Sequence, residues 1–224
     1  MISSKFMQNF YDSISKKWDA TRRSAWGEFE FAHELLSAQK ILDAGCGNGR
    51  LNFWLAGNNF HGEYCGFDSS KNLIALARKN FPAREFVVAD LRELTPEISR
   101  GLTDGKPDAI FCVAVLHHLT NSAEQKKALE NLYASLQPDG RIFLTVWNLW
   151  QPRFWKFRLA QKFARTLTIP FAGAGVRTVF AFRKGELKKL CATTGFKNIK
   201  IFYARHAEKS NFFRGRNLII LAEK

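Results

Sequence analysis

The sequence predicts an α/β fold, doubly wound around a mostly parallel sheet. From Lys40 onward, short apolar runs rich in Val, Ile, Phe and Leu alternate with longer amphipathic ones, and parallel strands need crossover helices of this kind. The first apolar run ends in a glycine loop that opens a helical stretch, which is where ligands bind in open parallel sheets. The chain has 224 residues, 46% of them hydrophobic, enough apolar material for one packed core and far from a disordered composition.

The strands are expected at residues 40–44, 63–67, 84–89, 108–113 and 141–146, each bounded by Gly, Pro, Asp or Asn. Helices are expected over 49–56, 70–80 and 123–136. Ser69 or Ser70 is placed to cap the second, and Pro138-Asp139-Gly140 stops the third. Farther on come an aromatic and basic stretch over 153–167, a loop with Pro170, Gly173 and Gly175, and a helix over 184–193 stopped by Gly195. Two closing strands, 197–203 and 217–222, can pair antiparallel. The first 39 residues read as one or two amphipathic helices, with Trp26, Phe29, Ala32, Leu35 and Leu36 on one face.

The charge is lopsided. Lys and Arg number 17 against 17 Asp and Glu in residues 1–150, and 17 against 3 in residues 151–224, which carry the whole net charge of +14. A basic extension on a neutral body fits a polyanionic partner, because clustered cations release counterions from phosphates; a solvated basic face is the alternative. No run approaches the length of a membrane-spanning helix, and Met1 to Phe10 is too polar for a signal-peptide core, so a cytoplasmic or organelle-matrix setting is expected. Cys46, Cys65, Cys112 and Cys191 form no C-x-x-C pair, so neither a zinc site nor a disulfide scaffold is expected, and no metal.

The glycine loop reads Asp43-Ala44-Gly45-Cys46-Gly47-Asn48-Gly49-Arg50. The dinucleotide fingerprint needs Gly or Ala where Arg50 stands, and Asp43 would repel a pyrophosphate. An acid there better suits a cationic ligand. The arrangement resembles the first motif of class I S-adenosylmethionine-dependent methyltransferases, whose cofactor carries a sulfonium and an ammonium. The resemblance implies a seven-stranded Rossmann-like sheet with an antiparallel C-terminal strand. It places Asp68, ending the second strand, on the ribose hydroxyls and Asp90, ending the third, on the adenine amino group. Gly45, Gly47, Gly49, Leu91, Val113 and Ala114 complete the expected cofactor contacts, and Tyr11 is expected to cover the methionine end.

The flanks resemble one subfamily, the tRNA wobble-uridine carboxymethyl methyltransferases. Tyr11-Asp12-Ser13-Ile14 with Thr21-Arg22 and Trp26 is similar to their N-terminal motif. Val113 to His118, Val179 to Leu187 and Gly215 to Ile220 are similar to three later segments. That resemblance implies a single domain over 1–224, with a helical lid over 1–39, a cofactor-binding core over 40–150 and basic acceptor-binding elements over 151–224. It also brings tRNA as substrate and a small zinc-binding activator protein as a candidate partner.

A carboxylate acceptor is ionised at neutral pH and needs aiming rather than a general base. Arg22 is the candidate for that fork, assisted by His117 or His118; a surface salt bridge and structural imidazoles are the bland alternatives. Arg153, Lys156, Arg158, Lys162 and Arg165 interleave with aromatics as single-stranded RNA surfaces do, with peripheral contact to an anionic membrane as the rival. Two other functions stay open at this point: a small-molecule O- or N-methyltransferase, and a non-catalytic RNA-binding module of the same fold.

Overall fold

The computed structural model describes residues 4–95, 99, 105–171 and 175–224; Gly173 of the expected loop lies outside the described residues. Ten strands are described: β1 (Lys40–Ala44), β2 (Glu63–Asp68), β3 (Glu85–Val88), β4 (Ala109–Val113), β5 (Arg141–Trp147), β6 (Thr166–Pro170), β7 (Val176–Phe180), β8 (Lys197–Arg205), β9 (Glu208–Ser210) and β10 (Asn217–Glu223). Eight form one sheet in the order β3-β2-β1-β4-β5-β10-β8-β9. The pairs among β1 to β5 are parallel, while β10 runs antiparallel to both β5 and β8.

The α/β class and the antiparallel closing strand stand as expected, but seven strands become eight. The addition, β9, pairs with the end of β8. Its Glu-Lys-Ser sequence has no apolar residue to announce a strand. A second departure is the hairpin of β6 and β7, in a region the sequence reads as a basic stretch and a loop. Leu167, Ile169 and Val179 of that hairpin bury a small core of their own with Leu149, Phe154 and Ala181.

Strand alternation builds the two main cores. Ile41, Phe111, Phe143 and Ile219 face one side, with Trp54 and Leu55 of α2 (Leu51–Gly57) and Ile74 and Ala77 of α3 (Lys71–Asn80). Their neighbours Leu42, Ile110, Leu144 and Ile220 face the other, against Leu129 and Leu132 of α4 (Ser122–Ser135) and Leu187 of α6 (Lys184–Thr194). Successive residues of a strand point to opposite faces, so each strand feeds both layers. Ser70 caps α3 by accepting from the Leu73 amide at 3.1 Å, and Gly195 closes α6 at φ 116°.

The N-terminal region divides in two. Helix α1 (Ser4–Ala20) lies against α3, where Asp12 accepts from the Ser70 hydroxyl and the Asn72 amide. Residues Gly27–Ser37 form two 3-10 segments joined by a kink at Ala32 (φ −102°, ψ 15°) rather than an α-helix. Phe29, Ala32 and Leu35, three residues apart, are buried. Tyr11 and Trp18 of α1 border the cavity described below, as do Trp26 and Phe29, and Phe29, Ala32 and Leu35 also pack into the core. No described helix is long and apolar enough to cross a membrane, and all four cysteines are buried and unpaired.

Candidate active site

Strand order reverses between β1 and β4, and a cavity of about 440 Å³ opens at the carboxyl ends of the strands there. The glycine loop forms its floor. Gly45 has φ 78°, and a Cβ built on it would stand 2.3 Å from Val115 Cγ2. The amides of Gly45 and Cys46 donate to the Phe67 carbonyl at 2.8 and 2.9 Å, so the loop is stitched to β2. Gly47, at φ 58°, turns its amide to Asp68 Oδ2 at 3.0 Å, and the Trp18 ring fills the space where its side chain would be. Gly49 does not reach the cavity; at φ 79° it packs under Phe81 and Phe86, so its part is to let the chain turn.

Four carboxylates border the cavity, Asp43, Asp68 and Asp90 at the strand ends and Glu124 of α4. Asp43 is buried, accepts from the Tyr64 hydroxyl at 2.9 Å, and is pushed up to about 7 by burial and by the charge of Asp68. Asp68 is pushed up to about 6 by burial, with Asp12 and Asp90 adding repulsion, although the Ser70 and Gly47 amides oppose the shift. Burial disfavours the charge of Asp90 too, yet Arg92 hydrogen-bonds both its oxygens and holds it below the usual carboxylate range. A buried acid and a half-buried one that resist ionisation beside each other form a site that a cation would relieve. The tight turn at Gly45 and Gly47 leaves a backbone-lined floor beside them. This donor set fits the sulfonium and ammonium of S-adenosylmethionine.

The wall also carries cations among apolar and aromatic side chains. Arg22, Arg153, Arg177 and Arg216 all border the cavity, and none of them makes an ion pair with a carboxylate among the described residues. Arg22 folds back onto its own segment, donating to the Trp18 carbonyl at 3.3 Å and the Thr21 hydroxyl at 2.7 Å with its guanidinium 4.3 Å from the Trp18 ring. Burial and the charges of Arg50 and Arg177 bring it down to about 10. Arg177, from β7, lies between Trp147 at 4.1 Å and Phe171 at 4.8 Å, and its Nε and Nη1 are buried without a partner.

The two histidines separate. His118 borders the cavity, with Nε2 3.0 Å from the Tyr11 hydroxyl. His117 is fully buried, stacked 4.5 Å from both Trp147 and His118, and does not reach the cavity. That removes His117 from the expected acceptor group. Burial, with the charge of Arg177, pushes His118 down to about 3 and His117 well below its ordinary value, so both rings are neutral at physiological pH.

Of the other expected positions, Tyr11, Leu91, Val113 and Ala114 border the cavity, as does Arg153. Lys156 and Lys162 are exposed away from it. Arg158 is corrected: it is 1% exposed, its guanidinium 3.6 Å from the Trp150 ring centroid, and is unavailable to a phosphate. Arg165 is largely engaged as well, paired with Glu186 and donating to the Ala181 carbonyl. The sequence reading missed Arg177 and Arg216. A cation inside the apolar run Val176-Arg177-Thr178-Val179-Phe180 was the available signal for the first.

Residues 42–142 match the family described as a methyltransferase domain. The chain is 35% identical over 147 residues to a tRNA (carboxymethyluridine(34)-5-O)-methyltransferase of Arabidopsis thaliana, covering 65% of this chain and 33% of the plant protein. The mouse protein of the same description is 29% identical over 151 residues, 67% of this chain and 21% of its own length. The chain thus spans a third or less of these two relatives. An amino pentose methyltransferase from Micromonospora echinaspora, solved with S-adenosylmethionine bound, shares the fold at TM-score 0.63 and 18% identity, covering 94% of this chain and 97% of that one. Residues 42–142 thus match a methyltransferase domain, in a chain that shares the fold of solved S-adenosylmethionine-dependent methyltransferases.

Proposed function

We propose that the chain O-methylates the carboxymethyl group of a modified wobble uridine in tRNA, making the methyl ester. The observation that carries this reading is Arg177. A half-buried guanidinium with two buried and unpartnered nitrogens, beside three further arginines without carboxylate partners, calls for an anionic acceptor. The names of the plant and mouse relatives supply the chemical identity of that anion.

The residues divide the cavity by charge. Asp43 and Asp68 favour the cationic centre of the cofactor, and Asp90 with Arg92 and Leu91 borders the position for its adenine. When bound, the cofactor supplies a methyl group whose bond to sulfur breaks, electron pair to sulfur, as a carboxylate oxygen takes the methyl. No proton moves in that exchange, which agrees with the neutral histidines here and with the absence of any need for a general base. Arg177, with its forked donors, aims the acceptor oxygen, and Arg22 and His118 border the same space. Tyr11 holds His118, and Trp147 sets the plane against which Arg177 lies.

The test is methyl transfer to tRNA carrying carboxymethyluridine at the wobble position, read by nucleoside mass spectrometry, with and without a small zinc-binding activator protein. The methyl ester at that nucleoside is the expected product. Transfer to small carboxylic acids, alcohols or amines with none to this tRNA overturns the proposal in favour of a small-molecule enzyme.

A further inference from the structure

We propose that residues 205–216 form a stacking platform for single-stranded RNA at the mouth of the cavity. The partner class rests on the tRNA reading above, while the surface stands on its own geometry. Phe212 and Phe213 are 37% and 60% exposed, and such aromatic exposure on a folded surface marks a contact site. The rings are splayed. Phe213 meets Phe212 edge to face at 5.2 Å and 87°, and Phe212 meets Tyr203 at 5.8 Å and 88°. Ring faces are thereby left open, as base stacking requires.

The loop is held rigidly. Asn148 donates to the Phe212 and Gly215 carbonyls at 2.8 and 2.9 Å, and Asn211 Oδ1 accepts from the Phe213 and Arg214 amides at 3.0 Å each. The same clamp fixes its relation to the cavity: Asn148 follows Trp147, and Trp147, Arg216 and Asn217 border the space. Arg205, Lys209, Arg214 and Arg216 supply exposed cations against one acid, Glu208. Arg153 at the cavity wall lies close enough to Arg205 and Arg216 to feel their charge.

Aromatic faces and cations on a loop that leads into an acceptor cavity suit a linear polyanion with one unit inside and its neighbours stacked outside. A flat anionic bilayer pressed on the same loop would cover the mouth. This platform lies on a different segment from residues 153–165, which include helix α5 (Trp155–Ala160) and where the sequence places its RNA contacts.

The test is fluorescence anisotropy with a labelled, unmodified single-stranded oligoribonucleotide. The Phe212→Ala/Phe213→Ala double variant is expected to bind about tenfold or more weakly. Arg214→Gln should lower the salt slope by about one phosphate. Cofactor affinity by calorimetry and melting temperature should stay at wild-type values. RNA affinity that survives the double substitution overturns the platform, as does a wild-type chain with no RNA affinity. A double variant that loses anionic phosphatidylserine vesicles but keeps RNA also overturns it. Failure to methylate carboxymethyluridine, with Phe-dependent RNA binding intact, defeats the proposed acceptor and leaves the platform standing.

Discussion

The Tyr11 hydroxyl stands 3.0 Å from Nε2 of His118, tying the first helix to the turn after β4 across 107 residues. Burial raises the tyrosine and lowers the histidine, so a protonated phenol and a neutral ring share the hydrogen bond. Tyr11→Phe preserves the edge-to-face packing on His118 and deletes the bond. It should cost about 0.5–1.5 kcal/mol by chemical denaturation and speed proteolysis of α1. Unchanged stability and unchanged proteolysis would show that the helix is held by packing alone.

Gly45 tests the loop. Alanine there meets a left-handed φ of 78° and a methyl contact at 2.3 Å from Val115. The backbone penalty alone is about 1–2 kcal/mol, and displacement of Val115 adds to it. Gly45→Ala should therefore lower the melting temperature and weaken cofactor binding together. A Gly45→Ala/Val115→Ala double variant should recover only the part due to the clash. Full recovery of stability would mean that the positive φ carries no cost.

The structure adds Arg177, absent from the sequence reading, beside Arg22 at the cavity wall. Arg22 commits Nη1 to the Trp18 carbonyl and the Thr21 hydroxyl, whereas Arg177 has Nε and Nη1 buried without a partner. Arg177→Lys keeps the charge but loses the fork, so turnover on carboxymethyl-modified tRNA should fall about 100-fold or more at nearly constant cofactor affinity. Arg22→Lys should fall less. Equal losses in the two variants, or a larger loss for Arg22→Lys, would restore Arg22 as the aiming residue.

The difference between these arginines shows what the sequence could and could not convey. The strand ends were legible because apolar runs closed by Asp43, Asp68 and Asp90 report their own periodicity. The cationic half was not, because β6 and β7 are short and one is flanked by Pro and Gly, so the hairpin read as loop and its Arg177 as background charge. Burial of a cation leaves no mark either: Arg158 and Lys156 look alike in sequence, and only packing against Trp150 removes the first from the surface. Paired histidines carry the same ambiguity, since one residue along a turn decides which ring meets the cavity.

Arg158→Ala should accordingly act on stability rather than on RNA. Losing a desolvated guanidinium stacked on Trp150 should cost about 2 kcal/mol. The salt dependence of RNA binding, measured well below the melting temperature, should stay at the wild-type slope. A flatter slope in this variant would place Arg158 at a phosphate after all.

Asp43 and Asp68 set the pH dependence of cofactor binding. In the free protein Asp43 and Asp68 titrate at about 7 and about 6, far above the ordinary 3.8. Their folded values are raised, so the folded state binds more protons than the unfolded one between about pH 4 and 7. The resulting stabilisation of the free protein is complete below the ordinary value and is lost as pH rises through about 6 and then about 7. A cationic ligand reverses the preference, because it favours the ionised carboxylates. Binding should release protons near pH 6.5, and affinity should fall as pH drops from about 7.5 to about 5.5, by up to about tenfold per unit for each group that must deprotonate. Calorimetry in two buffers of different ionisation enthalpy measures the released protons directly. Asp43→Asn should flatten the upper part of the profile, and S-adenosylhomocysteine, which lacks the sulfonium charge, should show a smaller release. An affinity that is level over this range, with no proton release in either buffer, would mean that both acids are already ionised in the free protein and that no cation is needed to relieve them.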